Sequence, residues 1–258
     1  MNVHDWALIT FTILGQMSVG AFWVLGVMHT YALRKAGMQE ADRLADRSLW
    51  AIFAVMVLAL VASLFHLGNP LNAPRAITNV ATSWLSREIL FGVLFAALGW
   101  LFVLLQWRKI GSFRLRNALA IVAAVVGLGL VYVMSRVYML PTQPAWDTFA
   151  TPISFFATTF LLGSLAVGVG LVVNYASVQR RAPEAAPLQA ELMRTGIRTI
   201  AIASIVLLGI VLITTPLQIA YLSGQGGVAA QSAASMFTAY GWLLGLRLAL
   251  AFVGAGIF

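Results

Sequence analysis

With 258 residues, 61% of them hydrophobic and 9% charged, the chain is too apolar for a soluble domain, whose apolar share lies nearer half. The formal charge of +8 does not indicate a nucleic-acid partner, because the basic residues punctuate the apolar runs instead of gathering in one region. There is no cysteine, which excludes a disulfide framework and any iron–sulfur cluster held by thiolates of this chain.

Seven apolar runs, near 7–33, 48–67, 86–107, 117–139, 152–175, 198–222 and 236–258, are each long enough for the roughly 20 helical residues that span a hydrocarbon core. They are too long and too uniformly apolar for barrel strands, so the predicted fold is all-α, a polytopic transmembrane helix bundle forming one membrane-embedded domain over 1–258. The first run has no basic n-region and no small-residue cleavage site, and it reads as a retained span. Within it, Gly15, Ser18, Gly20 and Gly26 read as close-packing positions and Gln16 as interhelical glue. His29 lies 23 residues beyond Trp6, about 35 Å along a helix, whereas His66 closes the second run at the other membrane face. These two cannot ligate one haem from both sides, and His4, ahead of the first helix, is a poor second ligand.

The connection after the first run carries Arg34, Lys35, Arg43 and Arg47. That after the third carries Arg108, Lys109, Arg114 and Arg116, and that after the fifth Arg180, Arg181, Arg194 and Arg198. The alternate connections carry Arg75 and, at helix margins, Arg87 and Arg136. By the positive-inside rule the N-terminus and the connections after the second, fourth and sixth runs are expected to be extracytoplasmic. Ala182 to Gln189, with Pro183 and Pro187, is the one linker-like stretch. The last run reaches Phe258 with no polar flank, as if an eighth helix belonged beyond it. Arg247, about 15 Å into that run, is expected to face the bundle interior or water and find a partner, which an eighth helix could supply because no carboxylate in the visible runs matches it.

The stretch from Leu64 to Glu88 concentrates the chemistry. His66 ends the second run before Gly68-Asn69-Pro70, and Trp84-Leu-Ser86-Arg87-Glu88 opens the third. Singly, His66 reads as a helix cap bonding late carbonyls, and Glu88 as a carboxylate near a helix N-terminus. Together, bordered by Phe65 and Trp84, they also suit a pocket for a ring that must lose protons, since imidazole and a desolvated carboxylate can both exchange protons near neutral pH. Arg136 and Tyr138 end the fourth run at the same face. Arg136 reads either as a snorkelling interfacial side chain or as a pocket residue, and Trp146 as part of an aromatic belt.

Phe11-Thr-Ile-Leu-Gly-Gln16, Ser63-Leu-Phe-His66-Leu-Gly-Asn-Pro70, Leu85-Ser-Arg-Glu88-Ile, Arg136-Val-Tyr138, Thr151-Pro-Ile-Ser-Phe-Phe156 and Tyr240-Gly followed by Arg247 resemble the membrane-anchor subunit of the dimethyl sulfoxide reductase family, in order over nearly the whole chain. The resemblance implies an eight-helix anchor with an extracytoplasmic N-terminus in the bacterial inner membrane. It implies two extracytoplasmic partners, a molybdenum catalytic subunit and an iron–sulfur electron-transfer subunit. It further implies that this chain binds and oxidises menaquinol to menaquinone, with no haem and no cluster of its own. His66 and Glu88 match the residues tied to quinol in the family, and Arg136 is expected to fix the pocket or the partner. Two other readings stand beside it. One is a purely structural anchor without a quinol site. The other is a small-molecule or proton transporter, which calls for charged or broken helices near the midplane.

Overall fold

A hydrocarbon phase offers no water to an open amide, so an apolar chain must satisfy its backbone within each spanning segment, and a helix does so. Residues 3–65 and 77–257 are described by a computed structural model. Among them the regular structure is entirely helical: α1 (Val3–Ala36), α2 (Met38–Leu64), α3 (Trp84–Arg108), α4 (Phe113–Tyr138), α5 (Ala150–Arg181), α6 (Ala186–Gln225), α7 (Gly227–Thr238) and α8 (Gly241–Ile257), with 3-10 turns at Ile77–Asn79 and Pro183–Ala185. Six of the helices, α1 to α6, are long and apolar enough to cross a membrane.

Those six coincide with six of the seven apolar runs; the seventh needs correction. It is not one straight helix over 236–258 but the pair α7 and α8, bent by 71° from each other, which together make one further candidate span. Hydropathy sees a continuous apolar stretch there and is blind to the break at Ala239-Tyr240. Helix ends also lie outside the apolar runs. Gly37, at φ 81°, is the sole residue between α1 and α2, and α2 begins at Met38 rather than near 48. Met, Gln, Glu, Ala, Arg and Leu in that charged turn are all good helix formers, so the backbone continues where hydrophobicity stops.

The first helix lies at the centre of the bundle, packing most extensively against α2 and α5, with further contacts to α4 and α6. Its crossing with α5 is a backbone approach. A Cβ added to Gly20 would overlap the Thr159 carbonyl, and one added to Gly163 would overlap the backbone of Gly20 and Ala21. Such small-residue contacts bring membrane helices close enough for dispersion to hold them. The core beside this crossing is aromatic. Phe22 meets Phe53 and Phe95 edge-on at 5.4 and 6.0 Å between centroids, and Phe53 and Phe95 lie 5.5 Å apart.

Outward-facing Val61, Val93, Val125, Val169, Val206 and Ile213 are exposed, the arrangement expected of a lipid-facing surface. Arg247 lies on an exposed face of α8 and makes no ion pair or hydrogen bond among the described residues. Helix α8 packs against α6 and α7.

At the basic end of the bundle, charges that read from sequence as loop markers are tied between helices. Lys109 Nζ donates to Asp42 and Asp46 at 2.7 and 2.9 Å. Gln106 Nε2 donates to the same two carboxylates at 2.8 and 3.0 Å, and Gln106 Oε1 accepts from Arg116 Nε at 2.9 Å. His29 Nε2 lies 3.2 Å from Asp42, which gives that histidine a structural role linking α1 to α2. Burial works against the Lys109 charge, but the hydrogen bonds and charges of Asp42 and Asp46 outweigh it and raise the ammonium above its ordinary pKa. Its contribution is therefore intact at neutral pH and is lost only as pH rises through that raised value.

A Lys109→Met protein leaves two neighbouring carboxylates without their shared cation. Because the lysine side chain is 44% exposed and screened by solvent, the expected loss is about 1–2 kcal/mol. It is read as a lower thermal midpoint of the detergent-solubilised protein, and an unchanged midpoint would mean that the network contributes nothing net.

Candidate functional site

The opposite end of the bundle is built around the start of α3. Ser83 has extended backbone geometry and its hydroxyl accepts from the Ser86 amide at 3.2 Å, the N-cap that fixes where the helix begins. Arg87 then reaches back over the preceding segment. Its Nε donates to the Val80 carbonyl at 2.8 Å and an Nη to that of Ala81 at 2.7 Å. The start of α3 is thus held at a set height, and Glu88 enters the bundle about one turn above it.

Glu88 is 3% exposed. Among the described residues no hydrogen bond or ion pair reaches its carboxyl group. Burying such a group without compensation is costly, so its position calls for a functional explanation. The groups gathered at this end come from four helices, and Tyr138 links them. Tyr138, at the end of α4, lies within electrostatic reach of Glu88, and its hydroxyl lies 3.4 Å from Thr12 Oγ1 of α1. The Tyr138 ring rests against Phe155 of α5 at 5.3 Å and against Trp146 at 5.8 Å. Slightly deeper, Thr158 of α5 donates to Gln16 of α1 at 2.6 Å, the interhelical bond expected of Gln16.

Trp84, at the mouth, is a station for two cations. The Arg87 guanidinium lies 4.3 Å and that of Arg136 5.0 Å from its ring centroid, a geometry that favours attraction to the ring quadrupole. Tyr132 of α4 meets the same indole edge-on at 6.2 Å. Arg136 donates through one Nη to Met139 Sδ at 3.5 Å, while its Nε is buried with no hydrogen-bond partner among the described residues. That leaves an unused donor beside an aromatic wall.

Of the three residues expected from sequence, Glu88 and Arg136 are gathered at one end of the bundle without an ion pair between them; His66 lies outside the described residues. Thr12 and Thr158 were not anticipated. A hydroxyl within an apolar run carries no signal by itself, because its own helix can satisfy it, as both do by also donating to Leu8 and Ser154 carbonyls. No group of three His, Cys, Asp or Glu side chains that could hold a metal ion occurs among the described residues. This end of the bundle thus gathers a buried carboxyl group, a phenol and a guanidinium beside aromatic rings. A cavity of about 510 Å³ opens at the other, basic end and is not part of it.

A family model described as "DMSO reductase anchor subunit (DmsC)" matches residues 1–258. The sequence is 32% identical over 249 residues to the C subunit of the anaerobic dimethyl sulfoxide reductase of Escherichia coli K12, covering 96% of this protein and 79% of that one. It is 30% identical over 175 residues to the subunit of the same name in Haemophilus influenzae, covering 67% of this protein and 60% of that one. To the E. coli anaerobic dimethyl sulfoxide reductase subunit YnfH it is 32% identical over 167 residues, or 63% and 56% of the two proteins. No solved structure matches.

Proposed function

The chain belongs to the DMSO reductase anchor subunit (DmsC) family, as a multi-pass protein of the bacterial inner membrane, and from that membership we propose that it binds and oxidises menaquinol at its extracytoplasmic end. The observation that carries the proposal is Glu88, a buried carboxyl group that no described residue engages, beside aromatic walls at the end of the bundle opposite the arginine-rich connections. By the positive-inside rule that end is extracytoplasmic and the N-terminus lies on the same side.

Oxidation of a quinol to a quinone releases two electrons and two protons. The electrons pass to the nearest cluster of an iron–sulfur partner and from there to a molybdenum catalytic subunit, both seated on the extracytoplasmic face. This chain reduces no terminal acceptor. The chemistry belongs to the quinol and the clusters, while the protein supplies position, proton acceptors and a short path to the partner. His66 hydrogen-bonds or deprotonates one quinol hydroxyl and Glu88 carries a proton outward. Arg136, with its unused Nε, orients the ring or the partner. Electrons and protons then leave on one side, so turnover moves no net charge across the bilayer.

The test is a titration of the membrane-bound complex with a fluorescent quinol analogue. Saturable quenching at one site per anchor, competed by menaquinol, is expected. Absence of quenching in a complex still active with a soluble artificial donor would leave the chain as a structural anchor only.

A further inference from the structure

The cavity at the basic end lies between α1, α2, α3 and α4, far from Glu88, and has a volume of about 510 Å³. Its walls combine two properties. The first is an imbalance of charge. Most acidic side chains of this end are engaged, Asp42 and Asp46 by Lys109, Glu40 by Arg43 and Glu191 by Lys35, and Glu184, which has no ion pair among the described residues, does not line the cavity. Two guanidinium groups that line the cavity, those of Arg34 and Arg116, have no carboxylate among the described residues. Arg116 is held in place by neutral acceptors, Gln106 Oε1 at 2.9 Å and the Gly111 carbonyl at 2.8 Å, and its second Nη makes no hydrogen bond among the described residues. Asp46 also lines the cavity, but Lys109 and Gln106 occupy its oxygens.

The second property is an apolar flank open to the lipid side. Val27, Ile121 and Val125 line the cavity and are more than half exposed on the outer surface of the bundle. Gly26 lines it too, and a Cβ there would meet nothing within 4 Å. This overturns the expectation that Gly26 is a close-packing position. Its missing side chain widens a space instead of admitting a neighbouring helix.

The two guanidiniums favour an anion, and the walls a hydrocarbon portion. We propose that this cavity seats an anionic phospholipid, its phosphodiester between Arg34 and Arg116 and the upper part of its acyl chains along Val27, Ile121 and Val125. Basic pockets between membrane helices are suited to such headgroups, with about 1 kcal/mol for each nearby Lys or Arg. The proposal is independent of the quinol site.

Native mass spectrometry of the detergent-purified complex tests it, with phosphatidylglycerol, phosphatidylcholine of the same acyl composition, and inorganic phosphate as separate probes. Phosphatidylglycerol should be retained at least about fivefold more tightly than phosphatidylcholine. Arg34→Gln should lower that retention by about fivefold. Gly26→Leu, which fills the cavity from a position with free space around it, should do so at least as strongly. Equal retention of phosphatidylcholine would overturn the proposal, as would phosphate binding at the affinity of the whole lipid. Retention that both variants leave unchanged would also overturn it, because the lipid would then sit elsewhere. Were Arg34→Gln to fail to assemble, Gly26→Leu alone decides.

Discussion

A Glu88→Gln protein is expected to oxidise quinol more slowly by a factor on the order of 10²–10⁴, the range lost when a positioned proton-exchanging group is removed, while the complex keeps its turnover with a soluble artificial donor. Glutamine has nearly the volume of glutamate, and among the described residues Glu88 makes no hydrogen bond or ion pair that the change would break. A neutral amide is also less costly to bury than a carboxylate. Assembly should therefore survive, and the defect should lie in the quinol reaction alone. The same contrast between donors applies to His66 replaced by leucine. Quinol turnover within about twofold of the parent protein, well short of the loss expected of a general base, would remove Glu88 from the proton path. Equal loss with both donors would point to assembly.

The second large effect is structural. Gly163→Val should destabilise the bundle on the order of 3 kcal/mol or more, beyond the usual penalty for an overpacked core, because the added atoms meet backbone rather than a movable side chain. A Cβ at this position overlaps the main chain of Gly20 and Ala21, so α1 and α5 must separate. Separation also breaks the 2.6 Å bond from Thr158 to Gln16 and loosens Tyr138 between Thr12 and Phe155. The thermal midpoint should fall and quinol-driven turnover with it. Gly168→Ala on the same helix, where a Cβ meets nothing within 4 Å, is the control and should leave the midpoint unchanged. Equal effects of the two substitutions would mean that the crossing is not a close approach.

The spans were legible because hydrophobicity alone decides what can lie in hydrocarbon, and six of them stand where the apolar runs predict. Their ends were not, since a helix continues through polar residues of good propensity, as α2 does from Met38. The break between α7 and α8 was hidden within an apolar run for a related reason: composition carries no information about bending. At the candidate site, Glu88 and Arg136 were visible as titratable or charged residues at run margins. The enclosure of Glu88 and the stacking of Arg136 on Trp84 arise only when α3, α4 and α5 meet. The basic end was the least legible. Lys109 and Arg116 counted alike as loop charges, yet one is bound to two carboxylates and the other lines a cavity with no carboxylate partner of its own among the described residues. Which partner a charge finds is a tertiary property that a tally of Lys and Arg per loop does not contain.

The central place of α1 bears on how the protein is made. Gln16 waits for Thr158, 142 residues further along the sequence. At a translation rate of about 5–20 residues per second that separation is roughly 7 to 28 s. Throughout this interval the first helix has left the ribosome with a side-chain amide and a glycine groove that no later helix has yet covered. Until α5 emerges, Gln16 and Gly20 lack the contacts they make in the finished bundle, so the helix that ends most buried is made first and completed late.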